Sequence, residues 1–291
     1  MSLVFREFDQ ASLDRQYNNQ ANVDDPRRYL DWYGPASEAA RAQVPHLRDL
    51  AYGSLPAEKL DIFTPPGHSR ADRRPVVAFL HGGAWRALGL KASSFPAATF
   101  TGRGVLYVAI GFSLMPVAGS LDEMIWQCRT ALAWLATEIG EYGGDPERIY
   151  LIGHSSGAHL AGMVVSTDWA GHFGICRQVV RAGVLVSGLY DLEPVRLSYR
   201  NEMLKLDRCS EIRNSPCRNV PENGPPLLVA YGSQETAEFR RQAQDYAKLW
   251  GRRHGNCEIL ELPGLNHYET IESLTNPAIM LSQRTIGWFG I

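Results

Sequence analysis

A chain of 291 residues, 45% of them hydrophobic, is long enough to bury one large core, so a single domain with insertions is expected over residues 1–291. The formal charge of −2, with Lys and Arg scattered apart from short groups such as Arg73-Arg74 and Arg252-Arg253, offers no basic field to a polyanion and excludes nucleic acid as a natural partner. Five cysteines, an odd number with no CxxC pair, suit a reducing cytoplasm, and the lack of a signal-like start or an 18-residue apolar run argues against a membrane.

In chain order, residues 9–42, with Tyr17, Tyr29, Trp32 and Tyr33, read as helical and interrupted by Pro26 and Pro35. They are expected to fold over the top of a sheet, making residues 1–45 an N-terminal cap segment. Stretches 47–52 and 59–63 fit an antiparallel pair at the sheet edge. The runs 76–80, 105–110, 149–152, 184–186 and 227–231 are continuously apolar instead of alternating, as strands buried on both faces are. Between them Leu121, Met124, Ile125, Cys128, Leu132 and Leu135 follow helical spacing, opened by Ser120 and Glu123 as a capping box. Residues 192–226 lose the apolar rhythm and are expected to form a cap insertion. Phe239, Ala243, Tyr246 and Trp250 make a second helical stripe, followed by a strand at 257–262 and a last helix ending near Phe289. Strand and helix in alternation imply an α/β fold: a mostly parallel eight-stranded sheet with helices on both faces and a small cap.

The stretch Ile149-Tyr150-Leu151-Ile152-Gly153-His154-Ser155-Ser156-Gly157 contains G-x-S-x-G between a strand and a helix-forming run, the setting of a nucleophile elbow. A serine on so sharp a turn needs small residues two before and two after, here Gly153 and Gly157. After the strand 76–80 comes His81-Gly82-Gly83-Ala84-Trp85, whose glycines let backbone N–H groups approach a ligand closely. Gly82 or Gly83, together with Ser156, are the expected oxyanion donors. His267, on a loop after the last strand, is the expected base. His154 is the variable elbow residue, His159 faces into the fold one turn on, and His81 braces the oxyanion loop. For the acid, Glu235 is the first choice, after the strand 227–231, with Glu238 and Asp191 as alternatives. No pair of histidines has metal-ligand spacing, so neither a metal nor another cofactor is expected.

Taken together these residues resemble the α/β-hydrolase superfamily, and within it the branch of kynurenine formamidase-like proteins and small carboxylesterases. The resemblance also rests on Gln16-Tyr17-Asn18-Asn19, Gly143-Gly144-Asp145-Pro146, Ser187-Gly188-Leu189-Tyr190-Asp191-Leu192-Glu193-Pro194 and Asn214-Ser215-Pro216. It implies a metal-independent serine hydrolase of the α/β-hydrolase fold, with Ser155, His267 and Glu235 cleaving a small ester or an aryl formamide through an acyl-enzyme. The chain departs from the family pattern at Phe112-Ser113-Leu114 and in offering Glu where Asp is common. Trp85, Tyr17, Phe112, Tyr190 and Tyr268 are the expected pocket walls. A homodimer is left open, and the alternative is a non-catalytic small-molecule receptor on the same fold.

Overall fold

A computed structural model describes residues 2–291. The apolar runs become the inner strands of one eight-stranded sheet: β1 His46–Ala51, β2 Lys59–Phe63, β3 Arg74–Leu80, β4 Leu106–Ile110, β5 Gly144–His154, β6 Val180–Val186, β7 Leu227–Gly232 and β8 Cys257–Leu262. Their order is β1-β2-β4-β3-β5-β6-β7-β8. β1 pairs antiparallel with β2 at the sheet edge, as anticipated, and β2 pairs antiparallel with β4 as well; the other neighbours are parallel.

Side chains two apart along a strand point the same way, which divides the core in two. In β3, Val76, Ala78 and Leu80 join the cluster that holds the helices Leu121–Glu138, Ser156–Val165 and Ala237–His254. Val77 and Phe79 join the opposite cluster, with residues of the helices Tyr33–Gln43, Ala97–Thr101 and Met280–Phe289. Each fully buried Leu, Val or Phe contributes about 1.5–3 kcal/mol, which is why residues 76–80, 184–186 and 227–230 of the central strands carry only apolar side chains on both faces.

Local expectations are met with two corrections. Ser120 Oγ does cap the helix Leu121–Glu138, accepting from the Glu123 N–H at 3.2 Å. The reciprocal half of a capping box is absent, because the Glu123 carboxylate accepts from Gln127 one turn on, at 3.0 Å. Pro26 and Pro35 do not interrupt helices; they begin them. Pro26 opens the helix Pro26–Leu30 behind the Asp25 cap, and Pro35 lies in the first turn of Tyr33–Gln43, where an N–H would lack a partner anyway.

Residues 192–226 form the short helices Glu193–Leu197, Asn201–Leu204 and Arg208–Asn214 and a 3-10 turn Pro216–Arg218. The N-terminal helix Gln10–Gln16 is tied to them: Gln10 donates to the Leu197 carbonyl at 3.0 Å, and Asp14 accepts from the Tyr199 N–H at 2.8 Å. Among the described residues no helix is long and apolar enough to cross a membrane.

Tyr17 anchors this N-terminal piece. Its ring is fully buried, its hydroxyl donates to Glu238 at 3.0 Å and accepts from Gln242 at 2.9 Å, and Arg241 grips the same Glu238 carboxylate at 2.7 and 2.8 Å. Tyr17→Phe removes the hydroxyl and leaves the Gln242 amide a donor short of its acceptor, while the Glu238–Arg241 pair stays intact. The expected cost is about 1–2 kcal/mol, read as a lower urea midpoint at unchanged slope; an unchanged midpoint refutes the anchoring role.

Candidate active site

Ser155 sits where β5 ends and the helix Ser156–Val165 begins, with φ 55° and ψ −122°. A non-glycine residue in that region is strained, and the neighbours are cut to fit. A Cβ on Gly157 would come within 2.1 Å of the Leu80 carbonyl oxygen, and one on Gly153 within 2.5 Å of the Gly157 carbonyl oxygen. The turn is pinned by the Ser155 N–H donating to Val186 at 2.8 Å. The side chain therefore stands above the carboxyl ends of the strands, at a helix N-terminus.

His267 follows β8 on the loop 263–268. Its Nε2 lies 2.9 Å from Ser155 Oγ, and its Nδ1 lies 2.5 Å from Glu235 Oε1. Glu235, whose side chain is wholly buried, also accepts from the Gly232 N–H at 2.9 Å. The structure thus brings the three predicted side chains into one hydrogen-bonded row. The two alternative carboxylates are engaged elsewhere by Arg241: Glu238 in the pair above, Asp191 at 3.8 Å. His154 and Thr270 both bond the His267 carbonyl, at 3.0 and 2.8 Å, and the edge of Phe239 meets the imidazole with ring centres 4.7 Å apart.

The oxyanion loop presses directly on the elbow: a Cβ on Gly82 would lie 3.1 Å from Ser155 Cβ. Gly83 has φ 109°, and a Cβ there would strike the Ala87 carbonyl oxygen at 2.1 Å, so this turn admits no side chain. Among the described residues the backbone N–H groups of Gly82, Gly83 and Ser156 find no protein acceptor. His81 braces the loop as expected, with Nδ1 2.7 Å from the Gly82 carbonyl and its ring stacked on Phe112. Trp85 is fixed by Ser156 Oγ, which accepts its N–H at 3.2 Å, and by His159, which accepts from its indole at 3.2 Å.

A cavity of about 320 Å³ opens over Ser155 and His267. Of the five predicted wall residues only Tyr268 lines it. Trp85 turns inward to His159, Tyr17 is sealed among Glu238 and Gln242, Phe112 lies under His81, and Tyr190 stacks on Tyr246. The walls instead come from Asn18 and Asn19, Tyr33, Arg86, Tyr199 and Arg200. The sequence hints were the N-terminal segment, with the Asn18-Asn19 pair and Tyr33, expected over the sheet, and the loss of apolar rhythm around Arg200.

A family model described as BD-FAE matches residues 60–175. A kynurenine formamidase of Salmo salar is 33% identical over 94% of this chain and 93% of its own length, and one of Danio rerio is 32% identical over 91% and 89%. The chain belongs to the kynurenine formamidase-like branch of the α/β-hydrolase superfamily. This hydrolase is also 28% identical to the esterase LipQ of Mycobacterium tuberculosis over 82% of the chain and 65% of LipQ. Among solved structures, a candidate thioesterase of Silicibacter sp. TM1040 superposes with TM-score 0.81 at 25% identity, covering 93% of this chain and 97% of that one. Esterase 2 of Thermogutta terrifontis shares the fold at TM-score 0.68 and 20% identity, covering 84% and 95%. With formamidases and esterases as its relatives, the receptor alternative is not favoured.

Burial holds His81 and His159 down to about 4 and His154 well below the usual imidazole range, so all three stay neutral in the fold. Once unfolded, each takes a proton near its ordinary value of 6.5. Below pH 6.5 the unfolded chain therefore binds protons that the fold refuses, and stability falls as pH drops toward 4, by up to about 1.4 kcal/mol per pH unit for each histidine. His159→Gln, whose amide can still donate to the Asn214 carbonyl, is expected to flatten the urea midpoint against pH between 6.5 and 4. A slope equal to that of the parent contradicts the assignment.

Proposed function

We propose that this hydrolase cleaves small carboxylic esters or aryl formamides through an acyl-enzyme on Ser155, with His267 as general base and acid and Glu235 orienting it. The observation that carries the reading is the unbroken hydrogen-bonded row from Ser155 Oγ through both imidazole nitrogens to Glu235, beside three backbone amides without acceptors. His267 takes the Ser155 proton as Oγ attacks the carbonyl carbon. The oxygen that becomes negative is received by the N–H groups of Gly82 or Gly83 and Ser156, each such donor being worth on the order of 3 kcal/mol of barrier. His267 then hands the proton to the departing alkoxide or amine, and water repeats the sequence on the acyl group.

Residues 1–45 and 192–226 would act as a cap on the single domain, limiting the site to small molecules; Asn18, Asn19, Tyr199 and Arg200 on the cavity wall support this. The formamidase and esterase relatives support both substrate classes. Free thiols at all five cysteines support a cytoplasmic setting, and the scattered cations give a polyanion nothing to hold.

Ser155→Ala is expected to abolish turnover of p-nitrophenyl esters and of aryl formamides, and labelling by an organophosphonate, with the fold unchanged. Glu235→Gln, which leaves the imidazole in the wrong tautomer, is expected to lower kcat about 10³–10⁴-fold. Labelling that persists in Ser155→Ala, or an undiminished Glu235→Gln, overturns the assignment of that residue.

A further inference from the structure

The loop that carries Gly82 and Gly83 is held in a conformation its own residues resist. Gly83 is followed by Ala84 at φ 54° and Trp85 at φ 61°, two residues with side chains in the left-handed region. Such a turn persists only where its surroundings fix it, and three hydrogen bonds fix Trp85. Its N–H donates to Ser156 Oγ at 3.2 Å, its carbonyl accepts from the Met115 N–H at 2.8 Å, and its indole N–H donates to His159 Nδ1 at 3.2 Å. The first of these joins the two halves of the oxyanion hole. Ser156 offers its own N–H as one donor, and through its hydroxyl it receives the N–H of the residue that closes the loop carrying the others.

His159 has no freedom in this arrangement. It is wholly buried, and its Nε2 lies 2.8 Å from the Asn214 carbonyl, at the end of the cap helix Arg208–Asn214. A carbonyl only accepts and an indole N–H only donates, so the imidazole must be neutral, with its hydrogen on Nε2 and a lone pair on Nδ1. Burial enforces that neutral form, holding the group down to about 4. The ring also meets the Trp85 indole edge-on, with centres 5.4 Å apart. Neither residue lines the cavity, so both act on the reaction only through the loop.

Resting on the acyl-enzyme reading above, we propose that Trp85 and His159 are positioning residues of the oxyanion hole. They form a buried strut that stands on the Asn214 carbonyl of the cap insertion and holds the loop 82–85 against the elbow. The loop needs the support because the N–H groups of Gly82 and Gly83 stay unbonded to protein while aimed at one oxygen. That oxygen gains its charge only in the transition state, so a donor moved out of line weakens the transition state and spares substrate binding.

The test compares p-nitrophenyl acetate with its thiono analogue, in which sulfur, a poor acceptor for these N–H groups, replaces the carbonyl oxygen. The parent is expected to favour the oxygen ester. Trp85→Phe keeps an aromatic ring and deletes the indole N–H. It should lower kcat on the oxygen ester at least tenfold at unchanged KM, and narrow the oxygen-to-sulfur ratio of kcat/KM about tenfold. His159→Leu, which severs both Trp85 and Asn214, should do the same. His159→Gln, whose amide oxygen and nitrogen can stand in for Nδ1 and Nε2, should recover part of the loss. The pH dependence of kcat, governed by His267, should not move. Equal losses on the two esters, a loss confined to KM, or a shifted pH profile would make these residues merely structural and overturn the strut. Should Trp85→Phe fail to fold, Ser156→Ala carries the same ratio test, since it keeps the residue 156 N–H and removes the acceptor of the Trp85 N–H. Organophosphonate labelling keeps the two proposals apart. A parent that does not label defeats the acyl-enzyme reading and the strut with it, whereas a parent that labels no faster than Trp85→Phe defeats the strut alone.

Discussion

The rest of the site depends on one strained residue. Ser155 holds φ 55° and ψ −122°, at a cost on the order of 1–3 kcal/mol, and it stays there because the elbow has nowhere else to go. β5 delivers it from below with Gly153 against the following helix, Gly157 lets that helix settle onto the end of β3, and the Val186 carbonyl of β6 takes its N–H. Three neighbouring strands thus set the height of one hydroxyl. The same close approach places Gly82 against Ser155 Cβ, which is why the unbonded amides of that loop end up beside the oxygen they are proposed to serve.

The other half of the site is held by stitching between two loops. The ends of β7 and β8 come so close that a Cβ on Gly232 would meet the Leu265 carbonyl oxygen at 2.2 Å. Across that gap the N–H groups of Ser233 and Gln234 donate to Leu262 and Leu265, and Ser233 Oγ accepts from Gly264. Glu235 and His267 are therefore carried on two loops tied directly to each other. From outside, Tyr29 of the N-terminal segment stacks on Tyr268 with ring centres 5.0 Å apart and bonds both Glu269 and Asn266. The N-terminal segment is consequently part of the support for the loop that carries the imidazole.

Much of this was legible in the residues themselves. Uniformly apolar runs such as 76–80, short and followed by Gly-rich turns, read as strands covered on both sides, and G-x-S-x-G between such a run and a helix has few other uses. His267 and Glu235 followed from chain order. The cavity walls were not legible, for a physical reason: an aromatic side chain reads the same in a sequence whether its best partner is substrate or core. Trp85 found His159, Phe112 found His81 and Tyr190 found Tyr246, each pairing being decided by the fold as a whole. Arg200 was hidden for the opposite reason, since an arginine in an irregular polar stretch is ordinarily solvated surface. Its meaning depends on the Tyr17 carbonyl 183 positions away in the chain.

Charge is distributed so that each sign occupies its own zone. Glu235 lies at the dry end of the row beneath His267, where its negative charge opposes the positive charge the imidazole gains when it takes the serine proton. Arg200 and Arg86 lie at the wet end, on the cavity wall. His154, the one other imidazole lining the cavity, is kept neutral by burial and by the nearby His267, so it adds no competing cation and serves through its bond to the His267 carbonyl. Its neutrality leaves the guanidiniums of Arg86 and Arg200 as the fixed positive charge on the cavity wall.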